Sequence, residues 1–141
     1  MIQFINENIP FPEIPKLQVK SWIKETAKRY GKKTGEIAFI FCNDEKILEI
    51  NRQYLQHDYY TDIITFDYSE KNTISGDIFI SIETVKSNAK KYGVEYETEL
   101  LRIIIHGILH LCGQEDKTPA TKKEMTEKEN EALERYGSQA L

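Results

Sequence analysis

Two histidines stand four residues apart in the stretch I-I-I-H-G-I-L-H-L-C-G-Q-E-D, residues 103–116. At 3.6 residues per turn, His106 and His110 lie only about 40° apart around a helix axis, so both imidazoles share one face. A divalent cation takes imidazole nitrogens at about 2.0–2.1 Å in roughly tetrahedral directions, a demand that one rigid helix meets at this spacing. Gly113 ends the helical pattern, as glycine does where the chain must turn left-handed. The turn sends Gln114, Glu115 and Asp116 back across the helix end, where a carboxylate can add a third ligand. The chemistry on offer is a His, His, Asp metal site with an open fourth position for water. The competing reading is a pair of core histidines whose ring nitrogens find backbone carbonyls. Against it, the chain has three histidines and two are here. The surrounding helix is apolar nearly all round (Leu100, Leu101, Ile103, Ile104, Ile105, Ile108, Leu109, Leu111) and so is expected to be buried, where a polar ring needs a partner.

The elements that must hold this helix can be read in order. Ile2–Ile5 alternates as a short strand, and Pro10, Pro12 and Pro15 delay regular structure until Lys16. Val19, Trp22, Ile23, Ala27 and Tyr30 then mark a helix face closed by Gly31. Residues 36–42 are apolar on both faces, as in a central strand covered by helices on both sides. Asn43 or Asp44 can cap a helix with the stripe Ile47, Ile50, Asn51 and Tyr54. Residues 55–60 read as a polar, aromatic loop containing His57. Residues 61–66 and 76–82 are strands, and the polar turn 69–75 permits a hairpin. Ser81 can cap a helix carrying Val85, Ala89 and Tyr92, stopped by Gly93. The metal helix begins near Glu95, with Glu95, Glu97 and Glu99 at its positive end. Thr118–Pro119 opens a last helix with Met125, Ala132, Leu133 and Tyr136 on one side. The order β-α-β-α-β-β-α-α-α predicts an α+β (mixed α/β) fold: one domain over residues 1–141, with a small four-stranded mixed sheet and about five helices.

A chain of 141 residues, 40% hydrophobic and 30% charged, has the makeup of a soluble globular protein. It carries no apolar run near the roughly 18 residues of a membrane span and no secretory leader pattern, so a cytoplasmic location and no membrane partner are expected. Cys42 and Cys112 sit 70 positions apart in apolar segments, which suits reduced thiols better than a disulfide. The net charge of −4 argues against a broad phosphate-binding surface. The densest basic groups, Lys28–Arg29 with Lys32–Lys33 and Lys86 with Lys90–Lys91, read first as solvated helix ends.

Three motifs carry a family resemblance. The run H-G-I-L-H-L-C-G at 106–113 resembles the H-G-x-L-H-L-x-G signature of the YbeY endoribonucleases. T-D-I-I-T-F at 61–66 and G-D-I-F-I-S at 76–81 resemble that family's T-D-V-L-S-F and G-D-I-x-I-S strands. The resemblance implies a zincin-like metal helix in a single-strand-specific, metal-dependent endoribonuclease. Its implied roles are 16S rRNA 3′-end maturation and ribosome quality control, with single-stranded RNA, the ribosome and small-subunit assembly factors as partners. It also implies one divalent metal per chain, Zn2+ foremost. The signature usually continues Y-D-H, whose histidine is the third ligand. Here the residues are Gln114, Glu115 and Asp116, so the role passes to Asp116, with Glu115 as its competitor. A carboxylate ligand makes manganese or iron more competitive. The family also commonly has Y-R-G where this chain has Tyr54, Leu55 and Gln56. The family arginine is thus absent at Leu55, and Arg102, four residues before His106 on the same face, is a candidate replacement cation or else an ion-pair partner. His57 reads as a loop residue rather than a substrate contact. The general acid and base, the cleavage site and the oligomeric state stay open.

Two rivals come from other classes. A small metallopeptidase would share the two histidines, but in H-E-x-x-H the residue after the first is the general base, and here it is Gly107. A ribosome-assembly module with a structural metal would need a fourth ligand, usually cysteine. Cys112, two residues past His110, points about 200° round the helix from it.

Overall fold

The computed structural model describes residues 1–54 and 62–139. Leu55, His57 and Thr61, and with them the 55–60 loop, lie outside the described residues. The elements are β1 (Ile2–Asn6), α1 (Lys16–Arg29), β2 (Lys33–Cys42), α2 (Asp44–Tyr54), β3 (Ile63–Asp67), β4 (Thr73–Ser81), α3 (Ile82–Tyr92), α4 (Tyr96–Leu111) and α5 (Pro119–Gln139). The four strands form one sheet in the order β1-β2-β4-β3. β1, β2 and β4 run parallel, and β3 returns antiparallel to β4 as a hairpin. Among the described residues, no helix is long and apolar enough to cross a membrane.

Strands β2 and β4 each begin three residues earlier than their hydrophobic runs indicate, and the two extensions explain each other. Lys33 and Thr34 pair with Thr73 and Ile74. The turn shrinks to residues 70–73, closed by reciprocal Glu70 and Thr73 backbone bonds of 3.0 and 2.9 Å. Ile74, hidden in a polar run of sequence, is 1% exposed and belongs to the core.

The two sheet faces are covered unequally. The main core joins Ile37, Phe39, Phe41, Ile74, Ile78 and Ile80 of the sheet to the buried sides of α1, α3, α4 and α5. On the other face a small cluster joins Ile47 and Ile50 of α2 to Cys42 and Ile64. Trp22 of α1 is fully buried, and its Nε1 donates to the Ala132 carbonyl at 2.7 Å, latching α1 to α5.

The caps follow local chemistry. The Asn43 side chain accepts from Lys46 N (2.9 Å), opening α2. Ser81 accepts from Thr84 N at 3.2 Å and donates to Asp44, which ties the start of α3 to that of α2. Thr118 accepts from Thr121 N at 3.1 Å ahead of Pro119. Gly93 closes α3 with φ +65°.

Candidate metal centre and active site

Helix α4 lies across the main core, and Leu100, Leu101, Ile103, Ile104, Ile105, Ile108, Leu109 and Leu111 are all buried. Gly107 is what lets its last two turns sit so close to the sheet. A Cβ there would stand 3.0 and 3.2 Å from two carbons of Ile78 and 3.3 Å from Ile63. A glutamate at this position would be driven into the sheet, so the H-E-x-x-H arrangement is sterically foreign to this helix.

Past α4 the chain turns as its glycine requires. Gly113 has φ +100°, and Gln114 N bonds back to the Leu109 carbonyl at 3.0 Å. The return brings Asp116 Oδ2 to 3.3 Å from His106 Nε2. Two of the three expected ligands therefore meet. His110 lies one turn on, exposed at the end of α4. Among the described residues, no three His, Cys, Asp or Glu side chains are gathered closely enough to hold a cation as they stand. Glu115 is exposed.

The meeting of His106 and Asp116 has a chemical consequence. An ionised carboxylate only accepts hydrogen bonds, and an unprotonated ring nitrogen also only accepts. At 3.3 Å the contact becomes attractive when a proton sits on Nε2 or a cation lies between the two groups. The donor set thus suits a metal: an imidazole nitrogen and a carboxylate oxygen converge from a rigid helix and the turn that follows it.

Three acids that no sequence motif assigned to the site stand in and around it. Glu129 of α5 places Oε2 at 2.7 Å from His106 Nδ1 and Oε1 at 2.9 Å from Arg102 Nη1. Asp62, at the mouth of β3, also bears on the ring, while the buried Glu99 bears on Arg102, Asp62 and Glu129. Burial raises the Asp62 carboxyl above the usual range, against the pull of His106 and of the Asp62 and Ile63 backbone N–H groups. Burial raises Glu99 too, opposed by Arg102 and reinforced by Asp62 and Glu129. For His106 burial works against the charged form, yet the Glu129 hydrogen bond and the charges of Glu129, Asp116 and Asp62 leave the ring above the ordinary histidine value. The one sequence hint of Glu129 is its place on the stripe of Met125, Ala132 and Tyr136, and its partners Arg102 and His106 lie on another helix.

Arg102 proves to be an ion-pair partner. Its guanidinium is held by Glu129 and, through Nη2, by Asn130 Oδ1 at 2.8 Å. Burial pushes the Cys112 thiol up to about 11, so at neutral pH it is protonated and a poor metal ligand. Both cysteines are free.

The chain is similar to known proteins along nearly its whole length. The family model described as endoribonuclease YbeY matches residues 2–137. The endoribonuclease YbeY of Parabacteroides distasonis is 61% identical over 132 residues, covering 94% of this chain and 93% of its own. That of Bacteroides thetaiotaomicron is 57% identical over 132 residues, covering 94% and 96%. The solution structure of TM1509 from Thermotoga maritima superposes with a TM-score of 0.68 at 28% identity, covering 99% of this chain and 91% of that one. The match runs through the helix, the turn and the two strands that assemble the site, and the chain belongs to the endoribonuclease YbeY family.

Proposed function

We propose that this protein is a metal-dependent endoribonuclease that cleaves single-stranded RNA, with one divalent cation held by His106, His110 and Asp116. Its tasks in this reading are 16S rRNA 3′-end maturation and ribosome quality control in the cytoplasm, on the ribosome or with small-subunit assembly factors. Zn2+ is the foremost metal, with manganese and iron favoured next by the carboxylate ligand.

The observation that carries the reading is the 3.3 Å approach of His106 Nε2 to Asp116 Oδ2, together with the acids around it. Asp62 and Asp116 present negative charge where an anionic phosphodiester would have to arrive. Two like charges 4 Å apart repel by about 4 kcal/mol at an effective dielectric of 20. Arg102 is spent on Glu129 and Asn130, so it leaves this repulsion standing. A divalent cation reverses the sign of the site. When bound, such an ion stabilises charge on phosphoryl oxygens and lowers the pKa of bound water toward about 7. His106 and Asp116 fix its position from two directions, and His110, reaching from the exposed end of α4, is free to complete the set on the solvent side. Gly107 keeps α4 seated against the sheet, with the His106 ring facing Asp116 of the turn.

The test is cleavage of single-stranded and duplex RNA by purified protein before chelation, after it, and after restoring Zn2+ or Mn2+. The expected result is cutting of single strands only, lost on chelation and regained with metal. Undiminished cutting by protein shown by elemental analysis to be metal-free would contradict the proposal.

A further inference from the structure

Glu129 is a buried acid on a helix that is already latched without it. The Trp22 bond to Ala132 and the burial of Met125 and Tyr136 hold α5 in place. A buried ion pair adds little to such a latch, because well-packed apolar residues of similar size hold an interface as well or better. Glu129 is nevertheless only 7% exposed and fully engaged. Asn130 Oδ1 accepts from Arg102 at 2.8 Å, Arg102 donates to Glu129 Oε1 at 2.9 Å, and Glu129 Oε2 meets His106 Nδ1 at 2.7 Å. The carboxylate accepts and cannot donate, so Nδ1 must carry the proton. In a neutral ring the lone pair is then confined to Nε2, the nitrogen that faces Asp116. Imidazole ligands are commonly oriented through the far nitrogen in this way, and losing the partner weakens metal binding.

We propose that Glu129 is the positioning residue of the centre: held by Arg102, it fixes the tautomer and orientation of His106 so that Nε2 is the ligating atom. This rests on the reading of His106 as a ligand.

Two measurements test it, on wild-type protein and on Glu129→Gln. The first is nitrogen-15 NMR of the His106 ring in metal-free protein at a pH where the ring is neutral. Wild type is expected to carry its proton on Nδ1, and Glu129→Gln to lose that preference. A wild-type ring protonated on Nε2 overturns the proposal, and this needs no variant and no metal. The second is Zn2+ affinity by competition with a chromophoric chelator. Glu129→Gln is expected to bind roughly 10–100-fold more weakly under conditions where circular dichroism shows both metal-free proteins folded. Equal affinities in the two proteins overturn the proposal. Failure of wild type to bind any divalent ion would sink the metal reading alone, and the NMR result would still decide the role of Glu129 toward the ring.

Discussion

His106 stands between acids on both of its nitrogens, and that fixes how its charge must respond to pH. Its pKa is raised in the fold, so protonation contributes stability that is whole below the ordinary histidine value of 6.5 and is lost as pH rises through the folded value. In chelated protein the urea midpoint is therefore expected to fall as pH climbs above 6.5, and His106→Gln to flatten that decline. With Zn2+ present the slope should reverse, because proton and metal compete for Nε2. A midpoint that rises with pH in the absence of metal would contradict the assignment of these charges. His110 offers a cleaner separation of chemistry from folding. It is exposed, so His110→Ala should change stability by no more than about 0.5 kcal/mol while lowering RNA cleavage at least about 100-fold.

At the scale of elements, α4 is set by a glycine contact on one side and an acid-rich partner helix on the other. Gly107→Ala removes a helix-weakening glycine, worth up to about 1 kcal/mol, but presses a methyl against Ile78 and Ile63. Ile78 is fully buried and cannot retreat, and overpacking of this kind costs about 1–3 kcal/mol. A net loss of about 1 kcal/mol in urea unfolding is expected, with weaker metal binding as the helix lifts; a gain in stability would contradict the contact. Ser81→Ala should cost about 1–2 kcal/mol through the lost α3 cap. Much of this element-level structure was legible in the sequence. The spacing of His106 and His110, the turn glycine at 113 and the caps at Asn43, Ser81 and Thr118 each follow from local chemistry. The start of β4 was hidden because Thr73 and Ile74 sit in a polar run and owe their strand conformation to pairing with β2. Glu129 was hidden for a related reason. A charged residue on a helix stripe reads as solvated until the opposing helix supplies Arg102 and His106.

For the molecule as a whole, the net charge of −4 and the acids around His106 limit how many phosphates the protein can neutralise. Affinity for single-stranded RNA should then fall only gently with salt. A log–log slope no steeper than about −2, as for three phosphate contacts, is expected from anisotropy titrations across a KCl series, and a slope beyond about −5 would require a cationic track that this account lacks. The proposed metal site lies on the side of the sheet where α1, α3, α4 and α5 share the main core. Within that core the central claim is that a single divalent ion joins α4 to the turn behind it. Elemental analysis of protein purified without chelators, run beside His110→Ala, tests this most directly. One equivalent of divalent metal per chain in the wild type, lost in the variant together with cleavage of single-stranded RNA while the fold survives, is the expected result; wild-type protein that cuts RNA with no metal bound would contradict it.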